Sequence, residues 1–291
     1  MAIDVLAAGL HPRVRSGASG RHYTSTGALP LVPGVDGVGR LPDGQRVYFI
    51  TLDSEHGSMA DRTVVSRDRC VLLPDGADAA TVAAAMNPAM SSWIGLRLRA
   101  DLKPDQNVLV LGATGNAGQM AVQIAKRLGA ARVIGVGRDP DRLAALGDHG
   151  ADAVVSLAGE REDVLSAVGE AANDVDVVID YLWGEPSETV MAGLLNHRTA
   201  SDRPLTWIEI GAIAGPELKL PSAALRSNDL RILGSGQGSI SVARILSEMT
   251  GLIAELTSGS LSVTPLTRPL ADVERAWNAP TEPGQRVVFV P

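Results

Sequence analysis

Asn107-Val-Leu-Val-Leu-Gly112-Ala-Thr-Gly115-Asn-Ala-Gly118, continued by Gln-Met-Ala-Val-Gln-Ile-Ala-Lys-Arg-Leu-Gly129, decides the fold. Val108 to Leu111 is a short continuous apolar run, the pattern of a strand covered on both faces. After Gly118 the apolar residues Ala121, Ile124, Ala125 and Leu128 recur at helical spacing. Gly129 is placed to close that helix in a left-handed cap. A strand therefore runs through a glycine-rich turn into a helix. A helix start leaves backbone N–H groups without partners and carries partial positive charge, so it suits a pyrophosphate wherever no side chain stands in the way. Gly115 lets phosphates approach, and Gly118 lets the helix pack close on the strand. The motif is A-x-G-x-x-G, with Ala113 in the first position. An ordinary βα turn of a parallel sheet also fits it, but the strand before and the helix after favour a dinucleotide site.

Outward from this stretch, strands and helices alternate. Arg132 to Val136, Ala153 to Ser156, Asp174 to Ile179, Thr206 to Ile210 and Leu230 to Leu233 read as strands, with helices between them. Six such strands predict an α/β fold with a doubly wound parallel sheet, whose ligand lies at the carboxyl ends of the strands. Those ends include Gly112, Gly137, Asp180, Gly211 and Gly234. On the amino-terminal side the character is all-β. Ile3 to Leu10, Arg46 to Ile50, Thr63 to Val65 and Cys70 to Leu73 read as strands, and 17–37 as irregular loop rich in Gly, Ser, Thr and Pro. Two helices follow, Ala79 to Met86 and a second from Asn87 to Leu98 that starts near Pro88. Ser241 to Leu256 is a long amphipathic helix. The closing Arg286-Val-Val-Phe-Val290 is a β segment expected to return to the first domain, so that residues 1–86 and 241–291 form one domain and 87–240 the inserted nucleotide domain.

Composition narrows the function. The 291 residues are 45% hydrophobic and 20% charged, as in globular proteins. A net charge of −7 argues against nucleic acid or an anionic membrane as the main partner. Cys70 is the single cysteine, which leaves no internal disulfide and no thiolate zinc cluster, and fits a reducing, cytoplasmic setting. No apolar run is long enough to span a bilayer, and Asp4 interrupts the apolar start, against a signal peptide. His11, His22, His56, His149 and His197 never come at metal-ligand spacing with each other or with Cys70, so no metal is expected.

The cofactor's identity turns on the tip of the second strand. An NAD site carries an acid there, about twenty residues past the glycines, on the ribose 2′-hydroxyl. Here the tip is Gly137-Arg138. Gly137 leaves room, and the planar fork of Arg138 suits a 2′-phosphate, with Arg142 one turn further on. Asp139, an acid one residue late, weighs the other way, and a solvated loop arginine is the plain alternative for Arg138. The charge pattern favours NADPH.

Taken together, several stretches resemble one family. They are Leu6-Ala-Ala-Gly-Leu-His-Pro12 with Pro33-Gly-Val-Asp-Gly-Val-Gly39, Asn87-Pro-Ala-Met-Ser-Ser-Trp93 before Lys103-Pro104, Val110 to Gly118, Val178-Ile-Asp-Tyr181, and Arg286 to Val290. In this order they resemble the zinc-independent medium-chain dehydrogenase/reductases, in the quinone oxidoreductase and enoyl reductase branch. The resemblance implies a Rossmann sheet inserted in a GroES-like β domain, and hydride transfer from NADPH to a quinone or another conjugated carbonyl. It also implies site residues. Ala113, Thr114, Gly115, Asn116, Ala117 and Gly118 match the pyrophosphate loop. Ser91 matches a hydroxyl position near the nicotinamide, and Gly211 and Ser235 match strand-end positions near its ribose. Arg138 and Arg142, beside Gly137, fall in the stretch that holds the 2′-phosphate.

Tyr23 falls roughly where some enoyl reductases carry a proton donor, and His11 where quinone reductases have a polar residue facing substrate. From the residues alone, Tyr23 reads as a loop aromatic and His11 equally as a surface loop residue. The Cys and His-Glu pair of the zinc-dependent relatives have no match. Against the family pattern, two or three strands before Ile3 are missing and the segment between Gly39 and Asp43 is short; either translation starts upstream or this is a shortened member with an incomplete β-barrel, in which a missing strand would expose a sheet edge. Leu230 to Leu233 is the candidate for edge-to-edge pairing in a homodimer. Two other functions fit the same residues: an enoyl-thioester reductase, and a non-catalytic NADPH-binding or sensor protein.

Overall fold

The computed structural model describes residues 1–52, 55–282 and 284–291. Its strands are β1 (Ala2–Gly9), β2 (Asp36–Arg40), β3 (Arg46–Ile50), β4 (Arg62–Val64), β5 (Cys70–Leu72), β6 (Asn107–Leu111), β7 (Arg132–Gly137), β8 (Ala153–Ser156), β9 (Val177–Asp180), β10 (Leu205–Glu209), β11 (Leu230–Gly234), β12 (Thr264–Pro269) and β13 (Gln285–Val290). Its α-helices are α1 (Pro12–Ala18), α2 (Ala79–Ile94), α3 (Asn116–Arg127), α4 (Pro140–Ala144), α5 (Arg161–Ala172), α6 (Gly184–His197), α7 (Ser222–Ser227), α8 (Val242–Thr257) and α9 (Val273–Ala276). The chain divides into two compact units, Met1–Met90 with Ser241–Pro291, and Ser91–Ile240. No helix among the described residues is long and apolar enough to cross a membrane.

The Ser91–Ile240 unit is a six-stranded, all-parallel sheet in the order β11-β10-β9-β6-β7-β8. From β6 the chain winds outward through β7 to β8, then crosses back to β9 on the other flank of β6. Strand order thus reverses between β6 and β9, and the crevice at their carboxyl ends is where a doubly wound sheet takes its ligand. Val108, Leu109, Val110 and Leu111 are all fully buried, as expected of a central strand with helices on both faces. One core cluster joins Leu109, Leu111, Val136, Val168, Val178, Leu194 and Trp207 across the sheet and the helices α5 and α6. Helix α3 buries Met120, Ala121, Ile124 and Ala125. It ends as its sequence dictates: Gly129 takes φ +92°, and the N–H of Ala130 returns to Ala125 O at 3.0 Å.

The other unit is built on a seven-stranded sheet in the order β12-β13-β1-β2-β3-β5, with β4 also paired to β1. β13 pairs antiparallel with β1, Ala8 opposite Phe289, so the closing β segment lies beside the opening strand. The core clusters of this unit include one around Leu10, Val14 and Phe289 and one around Ile3, Val47 and Phe49.

Two local expectations fail. The stretch read as loop over 17–37 is entered by the end of α1 and left by the start of β2. β2 escapes notice because Asp36, Gly37 and Gly39 are poor strand formers; Gly37 and Gly39 are required by neighbours, since a Cβ would lie 2.9 Å from Ala7 O at the first and 2.2 Å from the Ile3 side chain at the second. The two helices expected on either side of Pro88 are one, α2, with Pro88 inside it, followed by a π-helical turn at Gly95–Arg99. Proline removes one donor from the ladder. The burial of Val82 to Met86, Ala89, Trp93 and Ile94 outweighs that loss.

Candidate functional site

The carboxyl edge of the parallel sheet gathers the expected cofactor residues in one unit. Gly112 leaves β6 at φ +85°, a conformation glycine adopts without strain. The N–H groups of Gly112 and Ala113 both donate to Val136 O at 2.9 Å, which ties the turn to β7. Ala113 is fully buried. Its amide is therefore engaged within the turn, which Ala113 helps to shape.

Gly115 is exposed and sits at the N-cap of α3 with no side chain to cap it. The first intrahelical bond runs from Gln119 N to Gly115 O at 2.8 Å, so the N–H groups of Asn116, Ala117 and Gly118 precede the ladder. A Cβ added at Gly115 would meet only Gly112 O, at 3.5 Å. The space in front of this helix start is open. At Gly118 a Cβ would lie 2.2 Å from Gly112 O and 2.5 Å from Ala113 Cα. The two glycines do different work: one leaves a bare helix end, the other permits close packing.

At the tip of β7 the outcome differs from the expectation in two ways. The space left by Gly137 is not open, since a Cβ there would lie 2.6 Å from the Thr114 side chain, which occupies it. Asp139 is not a free acid. It is the N-cap of α4, accepts from Arg142 N at 3.1 Å, and pairs with Arg142 Nε at 3.4 Å. Asp followed by Pro at the first helical position is a capping signal readable in the sequence. The Arg142 guanidinium thus lies beside Asp139 in an ion pair, while Arg138 is exposed and forms no bond among the described residues.

On the other flank of β6, the β9 tip is organised by Asp180, fully buried. Its carboxylate accepts from Leu182 N (2.8 Å), Trp183 N (3.0 Å), Ser187 Oγ (2.6 Å) and Trp207 Nε1 (3.0 Å). Burial pushes this carboxyl up, and the four donors oppose the shift. The bonds hold a loop in which Trp183 takes φ +53°, outside the usual range for a bulky residue. Gly211 is joined to the same tip through its N–H to Asp180 O at 3.2 Å, and Ser235 N donates to Glu209 O at 2.8 Å. Ser91, on α2, reaches the Tyr181 hydroxyl at 2.9 Å. Tyr181 is not among the expected site residues, and Asp180 is expected only as one of the strand ends. Position after the fourth strand of the sheet was the available signal.

The two candidate proton donors lie in the other unit and are not brought together. His11 is neither a surface residue nor open to a ligand from solvent: it is 1% exposed, with Nε2 3.0 Å from Asp36 Oδ1. Tyr48 donates to Asp36 Oδ2 at 2.8 Å. Burial holds the His11 imidazole below its ordinary pKa, against the pull of Asp36. Tyr23 is 71% exposed, its ring 4.3 Å from that of His22. Among the described residues no three His, Cys, Asp or Glu side chains converge as metal ligands would.

Comparison with known proteins agrees with this architecture. Residues 117–255 match the family model described as zinc-binding dehydrogenase. A protein of Emericella nidulans named "Probable NADPH-dependent quinone reductase tdiC" is 32% identical over 332 aligned residues, covering 99% of this chain and 91% of that one. The quinone oxidoreductase of Thermus thermophilus, solved alone and with NADPH, superposes with a TM-score of 0.80 at 25% identity, over 100% of this chain and 91% of that one. The Escherichia coli quinone oxidoreductase complexed with NADPH shares the fold, with a TM-score of 0.82 at 21% identity over 100% and 91% of the two chains. With a relative this similar over nearly its whole length, the chain belongs to the medium-chain dehydrogenase/reductases, in their quinone oxidoreductase branch.

Proposed function

We propose that this protein is an NADPH-dependent oxidoreductase that passes hydride to a quinone or a related conjugated carbonyl. The observation that carries it is the bare helix start at Gly115 with the unengaged guanidinium of Arg138 on the adjacent strand tip. The residues present fit the cofactor: a Cβ at Gly115 would fill the space a pyrophosphate needs, and none is there. In this proposal the N–H groups of Asn116, Ala117 and Gly118 hold the pyrophosphate, Arg138 the 2′-phosphate with Arg142 beside it, and Ser91, Gly211 and Ser235 border the nicotinamide half. Ala113, Thr114 and Gly137 shape the turn. NADPH, when bound, supplies the hydride.

The chain's own part is to bind, orient and keep water out. No metal ligand set is used. Nor does the proposal ask a proton of Tyr23, which rests on His22 in solvent, or of His11, whose ring is held on Asp36. Hydride transfer to a quinone leaves a hydroquinone monoanion, which takes its one remaining proton from water. The unit formed by Met1–Met90 and Ser241–Pro291 is assigned as the GroES-like, substrate-side domain. β11, the outer strand of the parallel sheet, carries half-buried Leu230, Ile232 and Leu233, and is assigned as the edge through which two copies pair. Light scattering tests that pairing, and a monomer removes it.

The deciding experiment follows NADPH oxidation, with NADH alongside, over quinones, enones and enoyl thioesters. Substrate-dependent oxidation of NADPH with quinones is the expected result. Turnover confined to enoyl thioesters would replace the substrate class. Tight NADPH binding with no acceptor across the panel would make the chain a binding protein.

A further inference from the structure

The proposed function leaves one buried charge without a role. Arg286 is the second residue of β13. Its neighbour Val287 accepts from Leu10 N at 2.9 Å, which sets Arg286 beside the passage from β1 into α1. Arg286 is only 7% exposed. Among the described residues its guanidinium makes one hydrogen bond, a long one from Nη1 to Leu10 O at 3.4 Å. Nε is sealed from solvent with no partner. Nη2 also lacks a partner among the described residues but is not sealed, so it can be reached from outside.

A charge taken out of water is costly unless it is paired and hydrogen-bonded. Among the described residues no carboxylate forms an ion pair with Arg286. Asp36 attracts it from a distance, with Oδ1 given to His11 and Oδ2 to Tyr48, at 3.0 and 2.8 Å. Arg15, on α1, repels it. Arg15 is itself half-buried and gives Nε and Nη2 to Trp277 O, a neutral carbonyl, at 2.9 and 2.8 Å. Burial first, and Arg15 second, lower the Arg286 pKa to about 10, so the group keeps its charge at neutral pH. Two guanidinium groups thus stand near each other with no carboxylate bonded to either among the described residues. Nε and Nη2 lie along one edge of the planar Arg286 guanidinium, and that edge is the one without partners. Two N–H groups side by side match the two oxygens of a carboxylate.

We propose that Arg286 anchors an anion subsite in the unit formed by Met1–Met90 and Ser241–Pro291, and that the hydride acceptor carries a carboxylate which docks there. The carboxylate enters at Nη2 and settles along the unpartnered edge, giving Nε the partner it lacks, while Arg15 adds positive charge nearby. This rests on the function proposed above and deepens it by naming the class of acceptor, an acidic quinone or enone in place of a neutral one.

The test compares a naphthoquinone bearing a propanoate side chain with its methyl ester, on the full-length wild type and on Arg286→Met. Binding is read by calorimetric titration in the presence of NADP⁺, which cannot reduce either compound, and turnover by NADPH oxidation. One charge-assisted contact predicts that the wild type binds the acid about tenfold or more tightly than the ester, with kcat/KM in the same ratio. Arg286→Met should treat the two compounds alike while handling the ester as the wild type does. A wild type indifferent to the carboxylate, or equal losses for acid and ester in Arg286→Met, would overturn the proposal. An acid held through Arg286 but reduced no better than the ester would make the subsite an effector site and refute the acceptor class. If neither compound oxidises NADPH, the reductase function falls, and the titration still judges the anion subsite. Should Arg286→Met fail to fold, Arg286→Lys decides. It keeps the charge without the planar fork and must lose part of the preference for the acid; an unchanged preference refutes the contact.

Discussion

The α-carbon of Gly118 faces the carbonyl oxygen of Gly112 so closely that a Cβ built on it would stand 2.2 Å away. Backbone lies on both sides of that contact, so nothing flexible can yield. Gly118→Ala should cost about 1–3 kcal/mol of stability, as overpacking does, and weaken NADPH binding with it. Gly115→Ala meets only one atom, at 3.5 Å, and its φ of −80° suits alanine. It should leave the melting temperature unchanged or slightly raised while weakening NADPH at least as much. Denaturant unfolding beside nucleotide titration separates the two; parallel behaviour of the variants would refute the division of labour.

Arg138→Ala should erode the proposed preference for NADPH over NADH, since the guanidinium forms no bond among the described residues. A charge-assisted contact with phosphate predicts about a tenfold or larger fall in the ratio of kcat/KM for the two cofactors. Stability should not change. An unchanged ratio would place the 2′-phosphate elsewhere.

His11 and Asp36 make a pH-dependent contribution whose sign follows from burial. Folding lowers the His11 pKa, so the unfolded chain takes up a proton that the native protein resists. Stability is therefore full above the ordinary histidine value of 6.5 and falls as the solution is acidified below it. His11→Gln retains an amide donor for Asp36 but cannot titrate. Its melting temperature should fall less steeply with acid than that of the wild type; identical slopes would assign the loss to other groups.

Asp180→Asn tests the β9 tip. All four partners of the carboxylate are donors, and the indole N–H of Trp207 cannot accept. The amide group turns one donor against another, and the variant should lose about 1–3 kcal/mol by denaturant unfolding. Stability equal to the wild type would mean the loop is held by packing instead.

The parts of this molecule written in short-range pattern are legible from the sequence. Val108–Leu111 reads as a covered strand because all four residues are apolar, and Gly129 as a helix end because only glycine takes φ +92° without strain. The failures share another cause. Pro88 reads as a boundary because a proline's local cost is visible and the burial that offsets it is not. His11 reads as a loop residue because its partner Asp36 lies in a strand that glycines disguise. Ser91 and Tyr181 meet across ninety residues, and nothing in either stretch points to the other. Contacts between distant residues decide the chemistry of the site, and they become readable only once the sheet order is known.

The cap that Asp139 places on α4 has a consequence for how such a protein can change. Asp139, the acid that weighs toward a ribose hydroxyl, is already committed to the scaffold, while its neighbour Arg138 forms no bond among the described residues. In the proposed function the choice between the two nucleotides is thus set at that residue. A lineage could drift between the two without its architecture noticing.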